Sequence, residues 1–328
     1  MARYLSNNVI DKALSLVDTI EEDKTSRTLK IGAGAQLKNV AFVERNYVFN
    51  LPPQSNDEDA QGRYERIKHA PEQFYQSHAW GNLRNQNPHF AGRTAKLTEL
   101  TQAFASSTSS TSDQGIAAVL ITGLGGIGKT QLATEFIYQL EKEEEHNLAE
   151  KNKPIYRYAL KIWLRGAHLK DDIRNLAIWL GIITIDQTPA IEEIARMLYA
   201  HLAKLSEVHR DNISQPSVLI VLDDVNWSEE LKEILPQSYA RYRHCFHWLI
   251  TSREHKGWTR YFADSDFKLC DLKAFTKDES LLYFDKALNT TIKAQVTDYM
   301  PEKVKALAKQ LGYLPLALSQ AAAYINRR

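Results

Sequence analysis

The residues best suited to chemistry in this sequence stand directly after short apolar segments. The first group is Gly123–Thr130, which reads GLGGIGKT and fits the phosphate-loop pattern G-x-x-x-x-G-K-[ST]. Glycines let the backbone close around a phosphate chain, and successive N–H groups with a following helix N-terminus attract the anion. We therefore expect Lys129 to contact the β- and γ-phosphates of a nucleotide and Thr130 to place its hydroxyl on Mg²⁺.

A pair of carboxylates, Asp223 and Asp224, follows the apolar run Ser217–Leu222. In open parallel sheets ligands bind at the carboxyl ends of the strands, so this pair is expected beside the phosphate loop. One carboxylate there can hold Mg²⁺ while its neighbour orients an attacking water. We assign Asp223 to the metal and Asp224 to the water. Arg253, which follows the strand segment Trp248–Thr251, could sense the γ-phosphate.

Other clusters give weaker indications of a site. His244, Cys245, His247 and Cys270 could suggest zinc, but on a strand Cys245 and His247 face one way and His244 the other. No convincing catalytic triad is present. Basic residues are dispersed along the sequence, so nucleic-acid binding is not expected.

The elements that must position these residues alternate in type along the chain. Apolar runs of strand length are followed by segments with the 3.6-residue period of helices, and this alternation predicts a parallel sheet with helices on both faces. The predicted strands are 117–121, 158–164, 217–222, 247–251 and 267–270, and the predicted helices are 131–140, 171–180 and 191–205, with an acidic helix end at 141–145.

The predicted domains are three. Residues 1–85 form a small α+β module, with a helix at 9–22, β-type segments within 28–50, a linker at 52–62 and a short helix after Pro71. Residues 86–272 form the α/β phosphate-loop domain. Residues 273–328 form a small helical domain, because Thr276–Glu279 is a capping box and Pro301 and Pro315 each stand where a helix can begin.

Composition places the chain among ordinary globular proteins. The 328 residues carry a net charge of +1, with 44% hydrophobic and 25% charged residues. Two cysteines do not make a disulfide framework and favour a reducing compartment. No apolar run reaches the roughly 20 residues of a membrane span, and the N-terminus lacks the apolar core of a signal peptide. These features predict a cytoplasmic protein, while export by a signal-independent route stays open.

The ordered motifs resemble one known family. From residue 88 onward the chain is similar to the STAND class of P-loop NTPases, in its NB-ARC (AP-ATPase) branch, which includes apoptotic adaptors, plant resistance proteins and bacterial regulators. The motifs that carry the resemblance are FAGR at 90–93, GLGGIGKTQLA at 123–133, IWL at 162–164, VLIVLDDV at 218–225, LITSR at 249–253 and LGYLPLAL at 311–318.

The resemblance implies roles for residues outside the phosphate loop. Arg93 would lie near the adenine, Arg253 would read the γ-phosphate, and Pro315 would pack near the adenine or ribose and couple nucleotide state to domain arrangement. The family also implies ADP held at rest and ATP associated with an open, oligomerising state. The predicted nucleotide contacts are Arg93, Gly123, Gly125, Gly126, Ile127, Gly128, Lys129, Thr130, Gln131, Arg253 and Pro315, the predicted metal ligands are Thr130 and Asp223, and the predicted catalytic residues are Lys129, Asp224 and Arg253.

Two features depart from the family pattern. Thr94 stands where the family has a glutamate after the Gly-Arg pair, and Arg328 comes before the position of the family's winged-helix domain. We therefore expect one of two cases: this sequence is part of a longer protein, or the natural protein is short.

The leading hypothesis is a signalling switch that binds ATP or ADP with Mg²⁺, hydrolyses ATP slowly and acts through self-association or a protein partner. A second is a catalytically silent scaffold that holds nucleotide while its N-terminal module recognises a partner. A third, a phosphotransferase with the same loop, lacks an identifiable acceptor pocket.

Overall fold

A six-stranded parallel sheet forms the centre of the molecule. The computed structural model describes residues 30–31, 35–36, 78–81, 83–105, 118–151, 158, 160–208, 218–236, 242, 245–262, 267–289 and 301–327. The sheet strands are β3 (His78–Gly81), β4 (Ala118–Thr122), β5 (Leu160–Arg165), β6 (Val218–Asp223), β7 (Phe246–Thr251) and β8 (Phe267–Asp271). A separate antiparallel pair is formed by β1 (Lys30–Ile31) and β2 (Ala35–Gln36).

The order of the strands brings the candidate residues to one edge. The sheet runs β3-β5-β6-β7-β4-β8, and every neighbouring pair is parallel. The strand before the phosphate loop, β4, is separated from the carboxylate strand β6 by β7, which leads to Arg253. Since all six strands point the same way, the segments that follow β4, β6 and β7 meet at the carboxyl edge.

Both faces of the sheet are covered, and apolar residues of its central strands point into a core on each side. Alternate residues such as Leu120 and Ile220 enter one core, and Val119 and Val221 enter the other. The first core includes residues of α3 (Leu169–Trp179) and α4 (Ile191–Val208), and the second includes residues of α1 (Thr94–Ala105) and α2 (Lys129–Lys151). Two short helices, α5 (Glu229–Ile234) and α6 (Trp258–Tyr261), follow β6 and β7.

The predicted parallel α/β sheet with flanking helices is confirmed, with two local differences. Helix α2 continues to Lys151, so the acidic run Glu141–Glu145 lies within the helix and not at its end. Glutamate and lysine are good helix formers, so this run does not stop the helix. The edge strand β3 was not predicted, because HAWG is too short to show a period of two, and it lies in the region assigned to the N-terminal module.

Three helices after β8 pack into a separate core. They are α7 (Lys277–Ala287), α8 (Pro301–Gln310) and α9 (Pro315–Asn326), as predicted from the capping box and the two prolines. The Thr276 hydroxyl accepts from the Glu279 backbone, and the Glu279 carboxylate accepts from the Thr276 backbone. Ala91 also lies in this core, although it comes before α1 in sequence.

Some predictions concern residues outside the described ranges. The helix at 9–22, the β-type segments beyond Ile31, the linker at 52–62 and the helix after Pro71 belong to this group. None of the helices in the described part of the chain is long and apolar enough to cross a bilayer. The division into three domains stays a prediction.

Candidate functional site

The phosphate loop joins β4 directly to α2. Gly123, Gly126 and Gly128 have φ values of 139°, 73° and 97°, a region that side chains other than glycine rarely adopt. Close packing against Leu272 also requires glycine at position 123, because a Cβ atom there would lie 2.6 Å from the Leu272 carbonyl oxygen. The Ile127 side chain is buried in the core beneath the loop, so its predicted nucleotide contact is limited to the backbone.

Lys129 is held inside the loop by backbone carbonyls. Its Nζ donates to the carbonyl oxygens of Gly123 at 2.9 Å and Leu124 at 3.1 Å. Burial lowers the pKa of Lys129, while the nearby carboxylate of Asp224 opposes this shift. The ammonium group is therefore presented on the concave side of the loop, where an anionic group would stabilise its charge.

Asp223 joins the phosphate loop to the neighbouring strand ends. Its Oδ1 accepts hydrogen bonds from the hydroxyls of Thr130 and Thr251, both at 2.7 Å, and Thr251 in turn accepts from the Asp224 backbone at 2.8 Å. Burial raises the pKa of Asp223, against the opposing hydrogen bonds from Thr251 and Thr130 and the positive charge of Arg84.

These residues fit a magnesium ion. Thr130 and Asp223 present hydroxyl and carboxylate oxygens within 2.7 Å of each other, and such oxygens are the ligands that Mg²⁺ prefers beside nucleotide phosphates. Asp223 is only 6% exposed, and a cation there would stabilise its buried negative charge.

Asp224 and Arg253 lie together at the mouth of the site. The Arg253 Nε atom is 3.9 Å from Asp224 Oδ1, and about half of each side chain is exposed. Asp224 has a φ of 55°, so the chain turns sharply as it leaves β6. Asn226 fixes the loop that carries Arg253, since its Oδ1 accepts from the Ser252 hydroxyl at 3.2 Å and the Arg253 backbone at 3.4 Å.

Sequence reasoning missed Thr251 and Asn226, which organise this edge. Thr251 is the last residue of β7, and its strand lies between those of the phosphate loop and Asp223. A polar residue directly after the apolar stretch Trp248–Ile250 was the available signal. Thr251 reaches Asp223 and the Asp224 backbone because β7 lies next to β6, and the sequence does not give this strand order.

Arg93 lies in a different environment from the phosphate loop. It has a φ of 60°, its guanidinium donates to the Lys273 carbonyl at 2.6 Å, and it lies 4.7 Å from the centre of the Phe275 ring. Its backbone donates to Glu279 at 2.9 Å. We call these interactions the Arg93 contact, and they join the segment before α1 to helix α7 and to the residues just before it. The predicted adenine contact of Arg93 stays a prediction.

Helix α9 contacts the phosphate loop itself. Pro315 is its first residue, and the next backbone N–H, that of Leu316, donates to the Gly126 carbonyl at 3.2 Å. A Cβ atom on Gly126 would lie 2.9 Å from Leu316 Cβ. Pro315 is thus brought close to the loop, and its predicted contact with the adenine or ribose of a nucleotide stays a prediction. Gln131 Oε1 is buried and has no hydrogen-bond partner among the described residues.

Comparison with known proteins agrees with the phosphate-loop geometry. Residues 89–238 match the AAA ATPase domain, a stretch that contains the phosphate loop and the Asp223–Asp224 pair. The chain has a P-loop NTPase fold. This domain match agrees with the parallel sheet and with the loop joining β4 to α2.

One relative and two solved structures illustrate the similarity. A nucleotide-binding leucine-rich repeat (NLR)-like protein of Hyaloscypha variabilis is 24% identical over 254 residues, covering 74% of this chain and 23% of the relative, so the chain spans less than a quarter of that protein. Cdc6p from Pyrobaculum aerophilum is 14% identical with a TM-score of 0.39, over 69% of this chain and 65% of its own. The ORC2 protein of Aeropyrum pernix has the same identity and TM-score, over 73% and 69%.

Proposed function

We propose that the protein is an ATP- and ADP-binding switch of the STAND type, NB-ARC branch, with slow Mg²⁺-dependent ATP hydrolysis. The observation that carries this proposal is the hydrogen bond from Leu316 in the helical domain to Gly126 in the phosphate loop. A loop that binds phosphate and touches a second domain can transmit the presence of the phosphate to that domain.

The residues at the carboxyl edge support hydrolysis of the γ-phosphate. Lys129 would stabilise charge on the phosphate oxygens, and Arg253 would contact the γ-phosphate. Asp224, at the exposed mouth of the site, would orient the attacking water. Thr130 and Asp223 would hold Mg²⁺, which supplies charge stabilisation for phosphoryl transfer when it is bound.

The same proposal includes self-association or a protein partner. A nucleotide-dependent change at the Gly126–Leu316 contact would alter the position of the helical domain, and the surfaces thereby exposed would serve self-association or partner binding. The NLR-like relative supports this direction because its name joins nucleotide binding to a leucine-rich repeat. We propose a cytoplasmic location because the two cysteines favour a reducing compartment.

The test compares two substitutions in one preparation of the full chain. Lys129→Ala removes a charged phosphate ligand and is expected to weaken ATP and ADP binding about 10- to 100-fold by calorimetry. Asp224→Asn is expected to leave binding within about twofold and to slow phosphate release about 100-fold or more. Lys204→Ala, on the exposed face of α4, is the matched control for the loss of a lysine charge.

The outcomes separate the switch from the silent scaffold. Nucleotide binding with phosphate release equal to the buffer blank in the unmodified protein would favour the scaffold. Unchanged nucleotide binding in Lys129→Ala would contradict the assignment of the phosphate loop.

A further inference from the structure

The segments that follow β6 and β7 are joined by hydrogen bonds on either side of Arg253. The Asn226 Oδ1 atom accepts from the Ser252 hydroxyl at 3.2 Å and from the Arg253 backbone N–H at 3.4 Å. The Ser252 hydroxyl accepts in turn from the Glu254 backbone at 3.2 Å, as serine often does two residues before a turn. We call these three hydrogen bonds the Asn226–Ser252 clamp, and they fix the backbone before, at and after the arginine.

The clamp is anchored to the ends of buried strands. Ser252 is fully buried, and its backbone N–H donates at 3.0 Å to the Ile121 carbonyl, near the end of the strand that leads to the phosphate loop. The Val225 backbone donates to the Thr251 carbonyl at 3.0 Å, which joins the segment after β6 to the end of β7. Because both anchors are backbone hydrogen bonds, the clamp has a fixed position at the carboxyl edge of the sheet.

The far end of the segment that carries Arg253 is held by Trp227. Gly257 has a φ of 89°, and a Cβ atom on it would lie 2.1 Å from Trp227 Cγ, so the backbone packs directly on the indole. Trp227 also meets the buried ring of Trp258 edge to face, with the ring centres 5.2 Å apart. Two consecutive residues after β6 therefore hold both ends of the segment 252–258.

The side chain carried by this segment lies beside a residue that is linked to the phosphate loop. The Arg253 Nε atom is 3.9 Å from Asp224 Oδ1. The Asp224 backbone donates to the Thr251 hydroxyl at 2.8 Å, and that hydroxyl donates to Asp223 at 2.7 Å. Asp223 also accepts from Thr130 in the phosphate loop at 2.7 Å. The arginine is thus connected to the loop through a continuous series of printed-length contacts at one edge of the sheet.

We propose that Asn226 is a positioning residue that sets Arg253 against the γ-phosphate and so favours a triphosphate over a diphosphate. This inference rests on the γ-phosphate contact of Arg253 proposed above. A guanidinium binds phosphate through planar donors that must be aligned with two oxygens, and a misplacement of about 1 Å is enough to weaken such a contact. ADP has no γ-phosphate, so its affinity does not depend on this alignment.

The decisive experiment is a double-mutant cycle on the full chain, with dissociation constants measured by calorimetry for AMP-PNP and ADP, both with Mg²⁺. We expect Arg253→Ala to raise the AMP-PNP constant about tenfold and Asn226→Ala about fivefold, with the ADP constant changed less than about 1.5-fold. Arg253→Ala keeps the backbone N–H that Asn226 binds, so the two substitutions remove different atoms. The double variant should match Arg253→Ala alone, because Asn226 acts through the arginine. Asn175→Ala, an exposed amide on α3, is the matched control.

A second variant breaks the clamp from its other side. Ser252→Ala removes the hydroxyl that bonds to Asn226 and Glu254, and it should raise the AMP-PNP constant about threefold with little effect on ADP. A merely structural role of the clamp would lower the thermal unfolding midpoint and leave the ratio of the two constants unchanged.

Failures of the inference and of the proposed function are distinguishable. The inference is overturned, and the proposed nucleotide binding stands, if Asn226→Ala leaves the ratio of the two constants unchanged while Arg253→Ala changes it. The inference is also overturned if the effects of the two substitutions multiply in the double variant. If the unmodified protein binds neither nucleotide, or if Arg253→Ala leaves the ratio unchanged, the proposed γ-phosphate contact fails and the inference fails with it.

Discussion

The phosphate edge, formed by Thr130, Asp223 and Thr251, and the Arg93 contact are held by different interactions. At the phosphate edge, Thr130, Asp223 and Thr251 are connected by side-chain hydrogen bonds of 2.7 Å at the ends of buried strands. At the Arg93 contact, a guanidinium and a backbone N–H reach Lys273 and Glu279 across more than 170 residues of sequence. The first joins the ends of β6 and β7 to the start of α2, and the second joins the segment before α1 to Lys273 and helix α7.

This difference separates side chains that are proposed to bind ligand from a contact that holds two distant segments of the chain together. The side chains at the phosphate edge are proposed to meet phosphate, metal or water, and their hydrogen bonds fix them in place before a ligand arrives. Arg93 already donates to the protein, and burial lowers its pKa despite the opposing attraction of Glu279. These contacts give Arg93 a structural role, and the predicted contact with adenine would be a second role.

The largest expected effect in this comparison is that of Arg93→Ala. Loss of the charged hydrogen bond to Lys273 and of the contact with the Phe275 ring should lower the free energy of unfolding by about 2 kcal/mol. Chemical denaturation of the nucleotide-free protein measures this change. Arg93→Lys serves as the control that keeps the charge but not the planar donors. Unchanged stability with weakened nucleotide binding would instead support the adenine contact.

The two regions also differed in how far the sequence could predict them. Continuous apolar runs such as Val218–Leu222 predict buried parallel strands, and the loop pattern assigns Lys129 and Thr130, because both depend on local order along the chain. The hydrogen bonds of Thr251 with Asp223 and Asp224 depend on the position of β7 between β6 and β4. The partners of Arg93 are distant in sequence. These features come from tertiary contacts that no local pattern specifies.

A smaller effect is expected where the phosphate loop meets the helical domain. Gly126→Ala places a side chain at a φ of 73° and within 2.9 Å of Leu316 Cβ, so it should lower the free energy of unfolding by about 1–2 kcal/mol. Gly125→Ala is the matched control, because nothing lies within 4 Å of its added Cβ. Thermal unfolding of the two variants compares them. Equal midpoints would contradict the close packing of α9 on the loop.

The smallest expected effect tests the Arg93 contact through pH. Burial opposes ionisation of Glu279, but hydrogen bonds from the Thr276 and Arg93 backbones outweigh it and lower the pKa below its ordinary value of 4.5. A carboxylate with a lowered pKa in the folded state stabilises the protein above pH 4.5, and this stabilisation is lost as the pH falls through the folded-state value.

Glu279→Gln should therefore lower the free energy of unfolding by about 1 kcal/mol at pH 7. The two N–H groups bind different carboxylate oxygens, at 2.9 and 2.8 Å, and a glutamine offers only one acceptor oxygen for both. Denaturation curves at pH 7 and below pH 4.5 should show the difference between variant and unmodified protein shrinking at the lower pH. Asp278 is an exposed carboxylate in the same helical turn, and Asp278→Asn should lower the free energy of unfolding by a smaller amount. An equal effect would mean that Glu279 stabilises the protein only through the helix dipole.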